Sequence, residues 1–417
     1  MTDNPYAALQ IRNFRVLLAA RLLANLALQV QGLAVAWQIY ALTKDPLFLG
    51  LVGLAEVLPS IGISLYAGHV VDMVDRKRIA VVAVAALMVS LALLCIFSIS
   101  IAISSALVVS IYSVVAFTGL ARGFYGPSVF GLLGDIVPTD LYGNAAAWNT
   151  ILWQASAVAG PVLGGFLYVL LGPALTYGIT ALLMVGSLAC FCWIKTKTSL
   201  PKESEKSVIS NITEGLKFVF ANEIVLGAMA LDLFAVLFGG AVALLPIFTS
   251  EIFHTGPQAL GMLRAAPSIG ALITAAILTH RPITRHTGHV FLAVVVGFGL
   301  CMIAFGVSTS FYLSLFVLAL SGALDGVSIW IRTTIYQLVT PQNMKGRVAA
   351  VNSIFIGSSN EIGEFESGVT AKIMGLVPSV VFGGCMTLLV VLVTMIKAPK
   401  LRKLHIDSLY QSANAAK

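Results

Sequence analysis

Charge is what this sequence has least of. Asp, Glu, Lys and Arg make up 10% of its 417 residues, where an ordinary soluble domain carries about 25%. So little charge cannot coat a water-facing fold. The 58% hydrophobic content and mean hydropathy of +0.95 instead assign the chain to the lipid bilayer. Cysteine is scarce as well: Cys95, Cys190, Cys192, Cys301 and Cys385 are odd in number, lie in apolar runs and contain no Cys-x-x-Cys. That pattern excludes a disulfide framework and a metal knuckle and leaves the thiols to helix packing. The signatures of chemistry are also missing. No Gly-Lys pair closes a phosphate-binding loop, there is no His-Glu-x-x-His or Gly-x-Gly-Asp, and no polar stretch is long enough to form a nucleotide domain. No enzyme activity, cofactor or metal is therefore expected. Work done by this chain must draw on a gradient, from which one proton crossing 100 mV releases about 2.3 kcal/mol.

What is present is a succession of apolar runs of about 20 residues, the length that crosses hydrocarbon as a helix. Twelve are predicted, at 14–42, 47–71, 79–102, 105–134, 141–171, 174–194, 223–250, 259–279, 289–308, 311–339, 346–374 and 377–396. The first follows Arg12 and Arg15 directly and is long enough to span, so no cleavable signal is expected. With both termini placed inside, most of the 25 Lys and Arg residues fall on the cytoplasmic side. Lys44 and Lys372 are the outer exceptions, and Arg21, Arg122, Arg264 and Arg332 lie within spans. The net charge of +7 is thus dispersed over loops instead of forming one basic stripe, which argues against nucleic acid as a partner.

The chain also contains itself twice. Gly143-Asn-Ala-Ala-Ala-Trp-Asn-Thr-Ile151 returns as Gly346-Arg-Val-Ala-Ala-Val-Asn-Ser-Ile354, and at the same offset Gly119, Gly123, Pro138, Gly160 and Gly165 fall on Gly322, Gly326, Pro341, Gly363 and Gly368. Duplicated apolar halves of this size are typical of transporters, which bind substrate where the repeats meet. The predicted division is 1–194 for the first half, 195–222 for a cytoplasmic linker, 223–397 for the second half and 398–417 for a basic tail. In the linker Ile209, Ile212, Leu216, Val219 and Phe220 recur at helical spacing, so 207–220 is expected to be an amphipathic helix on the membrane surface. The tail suits attraction to anionic lipid.

Between the second and third spans stands Gly68-x-x-x-Asp72 followed by Asp75-Arg76-Lys77-Arg78. This resembles the loop signature of the major facilitator superfamily, with Asp75 in place of a glycine. The resemblance implies gating by Gly68, Asp72, Arg76 and Arg78, through ion pairs and capping that lock helices and then release them. Pro59-Ser-Ile-Gly62 recurs as Pro267-Ser-Ile-Gly270, but the second copy has His280 where Asp72 would stand. The fifth span carries Ser156-x-x-x-Gly160-Pro161-x-x-Gly164-Gly165, which resembles the Gly-Pro signature of proton-linked exporters in that superfamily. Glycines there admit a close neighbour and proline bends the helix, so a pivot is expected. Arg21 in the first span and the Gly-rich eleventh span extend the resemblance to the bacterial siderophore and multidrug exporter branch.

The copies diverge most in that eleventh span, where Glu361, Glu364 and Glu366 replace apolar residues and Pro161. A charge at mid-membrane costs about 2.5 to 3.5 kcal/mol on insertion scales, so such groups require a task or a partner. At 100° per residue Glu361 and Glu364 are about 60° apart and share a face. Their mutual repulsion suits proton coupling, with Glu56 and Asp232 as further candidates. Static pairing with Arg21, Arg122 or Arg332 is the alternative. The repeat aligns Arg122 with Asp325, opposite charges at matching depth. Arg21, Gln29, Arg122, Asp325, Arg332, Trp153 and Phe234 are the candidate substrate contacts. Gln31, Trp37, Gln38, Trp148 and Phe238 either line a cavity or serve as packing and interfacial anchors.

These readings predict an all-α membrane protein of twelve transmembrane helices in two pseudo-symmetric six-helix halves, the major facilitator fold. It is expected to be a monomer in a bacterial inner membrane with both termini cytoplasmic. Its expected task is export of a small organic molecule, a siderophore-like metabolite or an amphipathic drug, by proton antiport and alternating access. Membrane lipids complete the expected partners. Uptake by symport or facilitation, and a sensor that keeps the fold without turnover, stay open as alternatives.

Overall fold

The computed structural model describes residues 4–102, 104–195, 208–283, 285–342 and 344–407, and among them there is no β-strand. Hydrocarbon offers backbone groups no water, so each span satisfies its own N–H and C=O groups as a helix. Four helices follow one another through short turns: α1 (Arg12–Thr43), α2 (Pro46–Met73), α3 (Arg76–Ser100) and α4 (Ser105–Ile136). Next comes α5 (Tyr142–Trp193), which is interrupted at Gly172. The φ of +74° there suits only a residue without Cβ, and Pro173 restarts the helix beyond it. Two spans therefore occupy α5, as the sequence predicts.

The linker forms α6 (Val208–Ala221), and α7 (Glu223–Phe238) opens on Asn222, whose side chain accepts from the N–H groups of Ile224 and Val225. Beyond Gly239-Gly240 the span continues irregularly, through a 3-10 turn (Ala241–Leu244), a turn holding Pro246 and a π turn (Phe248–Ile252). Five more helices complete the chain: α8 (Pro257–His280), α9 (Thr287–Val307), α10 (Phe311–Val339), α11 (Lys345–Met374) and α12 (Leu376–Lys397), with a short α13 (Pro399–Arg402) after them. Ten helices of the described residues are long and apolar enough to cross a membrane. That number counts α5 once and omits α11, whose carboxylates dilute its hydropathy. Counting the two segments of α5 and including α11 gives twelve.

The described residues divide into two compact units. Unit one takes those of 1–44, 52–203 and 254–265, and unit two those of 45–51, 204–253 and 266–417. In unit one Ala20, Ala24 and Ala27 at helical spacing let α1 close on α5, and α3 packs on α5 as well, so that Leu87, Leu91 and Phe191 share the same core. Ser187 Oγ seals that contact by donating to the Ala20 carbonyl at 2.8 Å. Residues before α1 fold back onto α5, where Asn144 Nδ2 and Trp148 Nε1 both donate to the Pro5 carbonyl. Unit two has its core among α7, α9, α10 and α12, around Leu231, Phe291, Ile331 and Val391, with Leu401 and Leu404 closing one end.

Two helices change unit along their length. The start of α2 belongs to unit two, where a Cβ on Gly50 would come within 2.9 Å of the Glu364 carbonyl of α11. Likewise the start of α8 belongs to unit one, where a Cβ on Gly165 of α5 would lie 3.0 Å from Gln258 Cα and one on Gly261 would strike the Pro161 carbonyl. Backbones touch at both places because glycine leaves no side chain between them. Pro46-x-x-x-Gly50 and Pro257-x-x-x-Gly261 share one spacing.

The linker helix α6 docks on α11 within unit two, with Thr213, Lys217 and Phe220 left exposed on its other side. Its Val219 is buried with Val348 and Val351 of α11, its Gly215 meets the Arg347 backbone, and Glu214 pairs with Arg347. Of its apolar stripe, Leu216 and Val219 pack against protein, while Phe220 is exposed. The linker residues 196–207 and the tail from 408 lie outside the described residues, as do the side chains of Ile209 and Ile212.

Candidate functional site

In unit one the intramembrane charges gather around α4. Gly119 and Gly123 draw that helix against α2 at Glu56 and Ser60, which brings the Arg122 guanidinium into an ion pair with Glu56. The pair is only partly covered, the Arg122 side chain being 47% exposed. One turn along α4, the Tyr125 hydroxyl is buried without a hydrogen-bond partner among the described residues and lies within electrostatic range of Arg21 and Arg122. Glutamines of α1 do structural work. Gln29 fills the space over Gly160, Gln31 donates to Thr118 at 3.4 Å, and Gln38 accepts from the Tyr177 hydroxyl at 2.8 Å. Trp153 is exposed on α5, apart from these bonds.

Unit two holds a deeper arrangement. Asp325 and Arg332 are seven residues apart on α10, so they project from one face. There Arg332 pairs with Asp232 of α7, and its second nitrogen lies 4.0 Å from Asp325. Asp232 and Arg332 are both buried. With Ser328 and the α9 residues Val294, Val295 and Phe298, the two carboxylates line a cleft with room for about one water. Arg332 Nε and the nearby Tyr336 hydroxyl lack hydrogen-bond partners among the described residues. Phe234 is two residues past Asp232 and so on the far side of α7, where it stacks on Phe238. The repeat-related Arg122 and Asp325 therefore each have an opposite charge beside them within their own unit.

Glu361 and Glu364 are partly buried on α11, on the face where the Glu364 and Phe365 backbones meet Gly50. Each has an interaction partner. Glu366, on another face, is partly buried and has neither an ion pair nor a side-chain hydrogen bond among the described residues. One turn beyond Gly368, Lys372 pairs with Asp45, which holds the Asp45 carboxyl below the usual carboxylate range.

The loop signature ties together three helices of unit one. Asp75, the departure from the family pattern, caps α3 by accepting from Lys77 N–H at 2.9 Å. Arg76 reaches Asp135 at the end of α4 at 2.8 Å, across Gly131. Lys77 Nζ donates to the Cys192 carbonyl at the end of α5 at 2.9 Å, and the exposed Arg78 leans back to Asp75 at 3.7 Å. Gly68 lies in the last turns of α2, where among the described residues nothing comes within 4 Å of the place a Cβ would take, while the Asp72 side chain lies outside the described residues. In the fifth span Gly160 and Gly164 meet Gln29 and Val30 of α1, and Pro161 and Gly165 meet the start of α8.

Sequence reasoning missed Asp135, Tyr125 and the isolation of Glu366. Asp135 and Tyr125 carry no motif, but both sit at helical spacing from Arg122 or Gly131 on α4. Glu366 was visible as the third carboxylate and was set aside because it shares no face with Glu361.

The transmembrane secretion effector family matches residues 3–415. Among curated relatives, the enterobactin exporter EntS of Citrobacter koseri is 24% identical over 397 residues, covering 94% of this chain and 92% of its own. The multidrug efflux pump Tap of Mycolicibacterium fortuitum is 24% identical over 409 residues, covering 94% and 97%. Among solved structures, a bacterial homologue of the iron transporter ferroportin has a TM-score of 0.69 at 16% identity, covering 94% of this chain and 99% of its own. A POT family transporter has a TM-score of 0.70 at 11% identity, covering 94% and 96%. At these identities the structures share the fold.

Proposed function

The chain belongs to the transmembrane secretion effector family, within the major facilitator transporters, and from that premise we propose that it exports a small organic molecule in exchange for protons. Its setting in this reading is a bacterial inner membrane, with both termini cytoplasmic and the monomer as the working unit. The observation that carries the reading is the set of carboxylates on α11. Three glutamates within two turns of a spanning helix are too costly to retain without use. Proton antiport gives them one: protonated from the outer side, they become neutral and favour one state of the cycle, and on releasing the proton inward they favour the other.

Glu361 and Glu364 are the proton carriers of this reading, with Glu56 and Asp232 tuning arginines. In unit one the candidate substrate contacts are Arg21, Arg122 and the Tyr125 hydroxyl, which has no hydrogen-bond partner among the described residues; in unit two, taken by itself, they are Asp325 and Arg332. A substrate with acidic or hydroxyl groups would compete with Glu56 for the half-exposed Arg122. Siderophore-like metabolites and amphipathic drugs both fit, and the exporter relatives support export over uptake.

The test is flux in proteoliposomes under an imposed pH gradient. Glu361→Gln or Glu364→Gln is expected to abolish gradient-driven transport while substrate binding stays measurable. Unchanged gradient-driven flux in both variants would remove them from coupling and turn attention to Glu366. For the loop, Asp72→Asn is expected to raise cytoplasmic cysteine labelling, and equal labelling would leave the loop a topological role only.

A further inference from the structure

On unit two, α7 and α12 leave an apolar groove of about 420 Å³. Its wall is almost all carbon, from Leu226, Ala230, Phe234 and Phe238 on α7 and from Leu389 and Val393 on α12. From Leu226 to Phe238 the groove runs roughly 18 Å along α7 at 1.5 Å per residue. One leaflet of hydrocarbon is about 15 Å deep, half of the ~30 Å core. The groove therefore has the length of one acyl chain in one leaflet.

Its mouth is selective in charge. Glu223 and Lys397 stand there, and Glu223 is already engaged, accepting from the Lys400 backbone N–H at 2.9 Å and lying 3.5 Å from Lys400 Nζ. Lys397 is exposed, and among the described residues no carboxylate pairs with it. The first turn of α7 also opens at this mouth, and helix N-termini carry partial positive charge. An apolar trough of leaflet depth, ending at an unneutralised lysine, is complementary to a lipid with an anionic headgroup.

We propose that the groove between α7 and α12 is a binding site for an anionic phospholipid, with one acyl chain along Phe234 and Phe238 and the phosphate on Lys397. Nothing in this depends on the direction of transport or on its coupling.

The experiment is native mass spectrometry of the delipidated full chain, titrated with phosphatidylglycerol and with phosphatidylcholine of the same acyl chains. The wild type should retain phosphatidylglycerol preferentially. Lys397→Gln should weaken that lipid roughly fivefold, the worth of one basic residue near an anionic surface, and leave phosphatidylcholine unchanged. Val393→Trp, which fills the groove, should weaken both lipids, with Leu389→Trp as a second filling variant should the first fail to fold. Lys403→Gln, at an exposed lysine outside the groove, should change neither. Equal losses from Lys397→Gln and Lys403→Gln would mean general surface attraction and overturn the site. So would full lipid retention in the filled variants, or a dimer that the filled variants dissociate, which would make the occupant a second copy.

Discussion

Two ion pairs of the same chemistry sit in different surroundings, and the difference decides what each residue is worth. Arg332 and Asp232 are both buried, so removing one charge strands the other away from water, which typically costs 3–5 kcal/mol. Arg122 is half exposed, and its pair with Glu56 is screened accordingly. Asp232→Asn is therefore expected to lower the thermal midpoint in detergent well below that of Glu56→Gln, and equal midpoints would contradict the burial argument. Asp45 gives a pH test. Lys372 lowers its folded pKa, so its contribution is present above the ordinary aspartate value of about 3.9 and is lost as pH falls through the lower folded value. The midpoint deficit of Asp45→Asn should hold near pH 6 and shrink below pH 4. A deficit that grows in acid would reverse the sign of the argument. Charge inside apolar runs made Arg122, Asp232, Asp325 and Arg332 legible in the sequence as a group. Their partners were not legible, because pairing depends on which helices become neighbours and how each is rotated. Helices that are hydrophobic all round carry no stripe to report that rotation.

At the scale of elements, most punctuation was readable. Gly172-Pro173 marks the break in α5, Asn222 the start of α7, and the recurring glycines mark close approaches. Which neighbour each glycine admits was not readable, and it separates two roles within one motif. Gly160 is filled by Gln29 inside unit one, whereas Gly165 and Pro161 receive the start of α8. Overpacking costs about 1–3 kcal/mol wherever it occurs. Gly160→Leu should therefore lower the thermal midpoint of the folded protein. Gly261→Leu, which meets the Pro161 backbone at a helix start, should cut flux ahead of stability. If both variants lose stability alike while flux follows stability, the α8 contact is ordinary core. The docking of α6 on α11 escaped the sequence for a similar reason, since an amphipathic stripe reads the same whether it faces lipid or protein.

Across the whole molecule, the two copies of the repeat share several glycines and carry opposite charges at two corresponding positions. Arg122 corresponds to Asp325, and counting from the shared Pro-Ser-Ile-Gly, Glu56 corresponds to Arg264. Duplication thus supplied the fold, and divergence supplied a charge asymmetry, which the proposed proton-driven cycle would use. Both α2 and α8 change unit near their starts, each through a Pro-x-x-x-Gly pattern, although the register of the shared Pro-Ser-Ile-Gly aligns Gly261 with Gly53 and not with Gly50. Under the proposed alternating access, the contact of the α2 start with α11 is expected to open once per cycle, and Asp45 with Lys372 lies at its edge. In a background freed of native cysteines, Asp45→Cys with Lys372→Cys should stop flux when oxidised and recover it on reduction, while either cysteine alone transports. A matching pair at Asn13 and Lys195, which bond inside unit one, should leave flux intact when oxidised. Flux that survives complete cross-linking of the first pair would mean that this contact stays closed throughout turnover, and the moving boundary would then have to lie elsewhere.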